Sequence, residues 1–206
     1  MGEIGAAGTR VLPRELTDVP DAIRSVPAPP LPTLPRPYDL RPCDPDVDAA
    51  LVSKWMNSPH LAAAWQYAWS PPRWQQYLRA QVTGTYSRPL IGESDGAPFV
   101  YIEVYRAARD SIARCYDADP YDVGIHAAIG DGRFRHRGIA SILLPHLTRS
   151  IFDSESSCRR VMFDPDQRNA AARAVCEAAG GVLLGEFDMP NRRMALYAIE
   201  RAPSTQ

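Results

Sequence analysis

Residues 131–147 read DGRFRHRGIASILLPHL, a stretch that changes character half-way along. Gly132 and three arginines, Arg133, Arg135 and Arg137, surround His136, and Gly138 then opens an apolar run. Arginines placed directly before a helix suit an anion. The first N–H groups of a helix have no internal partners, and the helix dipole adds positive potential. Gly138 lets the backbone approach a ligand closely. Arg135 and Arg137 supply charge-assisted hydrogen bonds. This is the chemistry of a pyrophosphate cradle; a solvated basic turn is the plainer alternative. No G-K-[ST] follows, so the loop is not a Walker A motif, and the G-x-G-x-x-G dinucleotide fingerprint is absent.

The elements around the loop give it a setting. The chain has 206 residues, 45% hydrophobic and 23% charged, with a net charge of −1. That is the balance of a globular domain, and no nucleic-acid partner is expected. Ten of the twenty prolines precede residue 46. Residues 1–36 are therefore expected to be a proline-rich extended leader, either wrapped on the domain or disordered, and residues 37–206 the domain itself. Short strands are predicted at 38–42, on either side of the Ser-Asp-Gly turn at 94–96, and at 121–130. Helical spacing runs through 44–57 and 59–82, the latter broken at Pro71-Pro72, and these stretches hold all four tryptophans. A helix is predicted from Ile139, with Ile139, Leu143, Leu147 and Ile151 on one stripe. A strand at 159–164 stops at Pro165. Asn169 caps a helix that Gly180-Gly181 closes, and two more strands end the chain. The fold class is α/β with a mixed sheet flanked by helices.

RHRGIA (135–140) resembles the R/Q-x-x-G-x-G/A segment of the GNAT acyltransferase superfamily. The element order agrees. Four longer segments, WMNSPHLAAAWQYAW (55–69), YDADPYDVGIHAAI (116–129), FDPDQRNAAAR (163–173) and NRRMALYAIE (191–200), resemble its siderophore-biosynthesis branch, in particular the mycobactin-type lysine Nε-acyltransferases. The resemblance implies a GNAT fold. It also implies a donor loop at Arg135, Arg137, Gly138 and Ala140, with Asn169 beside it. The implied reaction moves a medium- to long-chain fatty acyl group from acyl-CoA or an acyl carrier protein to the ε-amine of lysine or N-hydroxylysine. The donor is a substrate, and no resident cofactor or metal is expected. The competing readings are a short-chain N-acetyltransferase of hydroxylysine or aminoglycosides, and a non-catalytic acyl-CoA-binding GNAT module.

Amine acylation needs a base. A lysine ε-amine with pKa near 10.4 is only about 0.04% free base at pH 7, so deprotonation costs about 4.6 kcal/mol. His126, in an apolar strand, and Asp164, at the end of the next, are the candidates. The resemblance assigns substrate binding to His126 and proton acceptance to Asp164. Read alone, a strand histidine is a common core residue and an aspartate before proline a common turn former. Asp166 competes with Asp164. His60 and Trp65 are candidate acceptor-site residues, although tryptophans at helical spacing commonly form core. Many GNAT enzymes carry a tyrosine where this chain has Cys176, which leaves the general acid open.

Cys43, Cys115, Cys158 and Cys176 fit no metal or disulfide spacing. The N-terminus lacks the apolar segment of a signal peptide, and no apolar run reaches the roughly 20 residues that span a bilayer. A cytoplasmic location is expected.

Overall fold

The computed structural model describes residues 11–190 and 192–202. Residues 1–10 of the expected leader and Asn191 lie outside them. The described leader contains one short helix, α1 (Asp21–Arg24), and otherwise runs extended over the domain. Its anchors are specific. Leu16 donates its N–H to Arg109 O at 2.8 Å, and the buried Arg106 donates to Pro27 O at 2.7 Å and Ala28 O at 3.1 Å. Thr33 N–H donates to Ser150 Oγ at 2.8 Å.

The domain follows as β1 (Tyr38–Pro42), α2 (Pro45–Met56), α3 (Pro59–Trp65) and α4 (Pro71–Thr83). Then come β2 (Ser87–Ser94), β3 (Ala97–Arg106), β4 (Val123–Ile129), α5 (Ile139–Ser154), β5 (Arg160–Phe163), α6 (Ala170–Ala178), β6 (Val182–Met189) and β7 (Arg192–Glu200). Helices α2, α3 and α4 each carry proline in the first turn, where a missing N–H costs nothing. Trp69 departs from the helical expectation. It lies in the loop between α3 and α4, stacked on Tyr67 with ring centroids 4.2 Å apart.

Among the described residues the strands form one sheet in the order β1-β2-β3-β4-β5-β7-β6. Every pairing is antiparallel except β4 with β5. That parallel pairing spans only Val123↔Val161 and Gly124↔Met162. Beyond Gly124 the two strands part, and Pro165, which has no N–H, helps end β5.

Strand alternation sorts β3 and β4 into two faces. Val100, Ile102, Val104, Val123 and Ile125 pack with Leu143, Leu147 and Ile151 of α5 in one core cluster. Tyr101, Glu103 and Tyr105 take the other face, opposite Ala128, His126 and Gly124 in register. On that side Trp74 of α4 packs edge-on against Tyr101 at 5.7 Å.

Gly124 makes a close approach possible. A Cβ there would lie 2.1 Å from the Tyr105 ring, which also stacks on His126 at 4.4 Å. Gly124→Ala therefore has to displace a fully buried tyrosine. The expected loss is about 1–3 kcal/mol of stability, the usual cost of overpacking, read from urea unfolding. An unchanged midpoint would show that Tyr105 yields freely.

Candidate active site

His126 and Asp164 meet across the parting of β4 and β5. His126 Nε2 donates to Asp164 Oδ1 at 3.0 Å, and Nδ1 donates to Glu103 Oε2 at 3.0 Å. An imidazole donating from both nitrogens is protonated. Burial and the charge of Arg14 would lower the His126 pKa; the Asp164 and Glu103 carboxylates outweigh them and raise it above the ordinary value.

Asp164 is wholly buried and holds four side-chain donors. Oδ1 accepts from His126 and, at 3.2 Å, from the Tyr105 hydroxyl. Oδ2 accepts from Arg14 Nη2 at 2.7 Å and from Arg192 Nη2. Arg192 also donates to the Asp164 main-chain oxygen. Burial would raise the Asp164 pKa, but the charges of Arg14, His126 and Arg192 hold it well below the usual carboxylate range. Burial likewise acts against the Glu103 carboxylate, and its hydrogen bond and charge pairing with His126 prevail, so its pKa is lowered.

Asp166 is placed differently. Its carboxylate accepts from Arg168 N–H at 2.9 Å and from the Arg168 guanidinium. It shapes the turn before α6, while Asp164 faces the histidine.

A cavity of about 680 Å³ joins this cluster to the arginine loop, within the ordinary range for a small-molecule site. It is lined from both faces of the sheet, by Val100, Ile125, Leu143 and Leu147 on the α5 side and by His60, Trp65, Tyr67 and His126 on the other. The opening between β4 and β5 connects the two. Trp65 lies edge-on to His126 at 5.7 Å, and His60 Nδ1 is 3.2 Å from Ser58 Oγ.

At the far end, Gly138 adopts φ 71° and caps α5 without a side-chain hydrogen bond to its first N–H groups. The left-handed backbone there favours glycine. Arg135, Ala140 and Asn169 line the cavity. Arg137 and Gly138 are exposed and lie outside its lining. Arg133 is turned back on Asp131, with Nη2 2.6 Å from its Oδ2. Asn169 also caps α6, accepting from Ala172 N–H at 3.1 Å. Cys176 lines the cavity at the position expected for a tyrosine, and burial pushes its thiol up to about 12. A thiol so reluctant to ionise is a poor proton donor to a leaving thiolate.

Four members of the cluster carry no motif that marks them in the sequence. Glu103 and Tyr105 had one available signal, an acidic residue alternating with tyrosines inside the apolar strand FVYIEVYR. Arg192 falls in the segment NRRMALYAIE that carries the family resemblance, but nothing local points it at Asp164, and Arg14, 150 residues from Asp164, had no signal. Among the described residues no group of three or more His, Cys, Asp or Glu is placed to hold a metal ion.

His126 gives a direct test of the electrostatics. Its folded-state pKa is raised, so its ion pairs are complete below about pH 6.5 and are lost as pH rises through the folded-state value. Histidine NMR should show the ring titrating above about 6.5, and Asp164→Asn should bring it down. Titration at or below the ordinary value in the wild type would contradict this arrangement.

Comparisons with known proteins agree with the geometry. The family model for the acetyltransferase (GNAT) domain matches residues 44–189. The chain is 60% identical over 204 residues to the lysine N-acyltransferase MbtK of Mycobacterium sp. (strain MCS), covering 99% of this chain and 84% of that protein. It is 54% identical over 194 residues to the lysine N-acyltransferase MbtK of Mycobacterium tuberculosis (strain ATCC 25618 / H37Rv), covering 94% and 91%. Among solved structures, aminoglycoside acetyltransferase AAC(6')-Ib in complex with coenzyme A superposes with a TM-score of 0.71 at 22% identity, covering 80% of this chain and 95% of that one; this likeness shows the fold. The chain belongs to the GNAT superfamily and, within it, to the family of mycobactin-type lysine N-acyltransferases, and it is an N-acyltransferase.

Proposed function

We propose that the protein transfers a medium- to long-chain fatty acyl group from a thioester, acyl-CoA or acyl carrier protein, to the ε-amine of lysine or N-hydroxylysine in mycobactin-type siderophore assembly. The observation that carries this reading is the cavity, which runs from the N-terminus of α5 through the sheet to the His126–Asp164 pair. Residues 37–206 act as the acyltransferase domain, and the leader is a strap on it. No helix among the described residues is long and apolar enough to cross a membrane, and all four cysteines are free. Free thiols suit a reducing cytoplasm.

The donor's pyrophosphate sits against the free N–H groups of α5, with Arg135 as its side-chain partner and Gly138 giving access. Arg137, at the rim, meets the solvent side of the nucleotide or the acidic face of a carrier. The pantetheine arm lies along β4 where β5 has left its edge open. The fatty chain takes the apolar part of the cavity, where each buried methylene contributes about 0.8 kcal/mol. An acetyl group forgoes that contribution. The acceptor enters past His60 and Trp65.

The acceptor ammonium gives one proton to Asp164, and His126 positions the nitrogen through its hydrogen bond to that carboxylate. The nitrogen lone pair attacks the thioester carbon, a C–N bond forms and the C–S bond breaks. The first proton passes from Asp164 to solvent; the second, released from nitrogen as the amide forms, passes through the His126–Asp164 pair to the thiolate, since Cys176 is a poor donor.

Asp164→Asn should lower turnover about 10²–10⁴-fold, the usual worth of a positioned base, with partial rescue at higher pH and near-normal donor affinity. His126→Ala should raise the acceptor's KM as well as reduce turnover. Full activity in Asp164→Asn with loss in Asp166→Asn would assign the base to the other carboxylate. Arg135→Ala should weaken CoA binding by roughly 1.5–3 kcal/mol in calorimetry, and Arg137→Ala by less. A lauroyl donor should outcompete an acetyl donor; a strong preference for acetyl would support the short-chain reading.

A further inference from the structure

The Asp164 carboxylate has about four lone-pair directions, and all are taken. An acceptor amine therefore reaches Asp164 only if one donor leaves. His126 and Tyr105 come from core strands and share Oδ1. Arg192 holds both Oδ2 and the Asp164 main chain. Arg14 is different. It belongs to the leader, lines the acceptor end of the cavity, and is the most exposed of the three cations around Asp164, at 20% against 13% for both Arg192 and His126.

Arg14 also has a second carboxylate to hold it when it leaves Asp164. Its Nε lies 3.0 Å from Asp110 Oδ2, and its Nη2 bridges Asp110 Oδ1 at 2.9 Å and Asp164 Oδ2 at 2.7 Å. A small rotation releases Asp164 while Asp110, itself wholly buried, keeps its partner. The backbone stays fixed, with Leu16 N–H on Arg109 O and Ser111 N–H on Arg14 O.

The geometry points to Arg14 as an internal stand-in for the acceptor: its guanidinium occupies the subsite that receives the terminal ammonium of an alkylamine, and the acceptor displaces it from Asp164 Oδ2 onto Asp110. This rests on the amine-acceptor reading above. A flexible alkyl stem ending in a cation describes both Arg14 and a lysine side chain. The exchange also suits the chemistry. When Arg14 withdraws, Asp164 loses a cation that depresses its proton affinity, while His126, Tyr105 and Arg192 still face it. The carboxylate becomes a better base when the amine arrives. Arg14 is thus a positioning residue, acting through Asp164, and it tunes acceptor affinity: a site competent in only a fraction of molecules weakens apparent binding by that fraction.

The test uses the full-length chain with Arg14→Ala and Arg14→Gln. The second variant keeps a donor for Asp110 should the first fail to fold, and thermal melting reports on both. The probes are n-butylammonium and ethylguanidinium, titrated by calorimetry, and lysine amide in turnover. Folded variants should bind both cations roughly tenfold tighter than wild type, the worth of one charge-assisted hydrogen bond. Their KM for lysine amide should fall, CoA affinity should not change, and ethylguanidinium should compete with the amine. Folded variants that bind neither cation more tightly, or whose activity ethylguanidinium restores, would overturn the assignment. Tighter cation binding with no amine acylation by any form, wild type included, would instead refute the amine-acceptor reading and leave the subsite standing.

Discussion

A carboxylate buried at the point where two strands part constrains much of this structure. An unmatched charge in that position would be prohibitively costly, so the surrounding elements have to supply donors. They do so from four directions: His126 from β4, Tyr105 from β3, Arg192 from β7 and Arg14 from the leader. Several oddities of the chain follow from that requirement. Gly124 is needed because the Tyr105 ring fills the volume of any side chain there. Glu103 lies in an apolar strand because it faces the other side of the His126 ring. The docked leader places one of its arginines where it completes the carboxylate's coordination.

The same parting of β4 and β5 carries the function. Two residue pairs hold the strands together at one end, and the open edge beyond them joins the two faces of the sheet. The arginine loop and the α5 stripe lie on one face and the aromatic wall of Trp65 and Tyr67 on the other. In the proposed reaction, a thioester held in the opening would present its carbonyl to the charged cluster while its chain lies among aliphatic side chains. The fold sets the arginine loop and the His126–Asp164 pair on opposite faces of the sheet and joins them by one cavity.

Elements with strong local chemistry were legible in the sequence. The apolar stripe of α5, the break at Pro71-Pro72 and the Asn169 cap all occur where local rules put them. Trp69 did not follow, because the Pro71-Pro72 break removes five residues from the helical run and leaves it in a loop, stacked on Tyr67. The contact of His126 with Asp164 depends on long-range pairing, and the family resemblance, rather than any spacing in the chain, made it an expectation. Arg135 and Arg137 look equivalent in sequence and both are exposed, but only Arg135 lines the cavity. Arg14 was out of reach of any local rule, since its partner is 150 residues away.

The central claim is that an amine nitrogen and a thioester carbon meet beside Asp164. A crystal structure with a bisubstrate analogue, coenzyme A joined through an acyl bridge to the ε-nitrogen of lysine, tests it most directly. The account predicts the pyrophosphate at the N-terminus of α5 and the ε-nitrogen within about 3 Å of the Asp164 carboxylate. A nitrogen bound beside Asp166, or on the α5 side of the sheet away from His126, would contradict it.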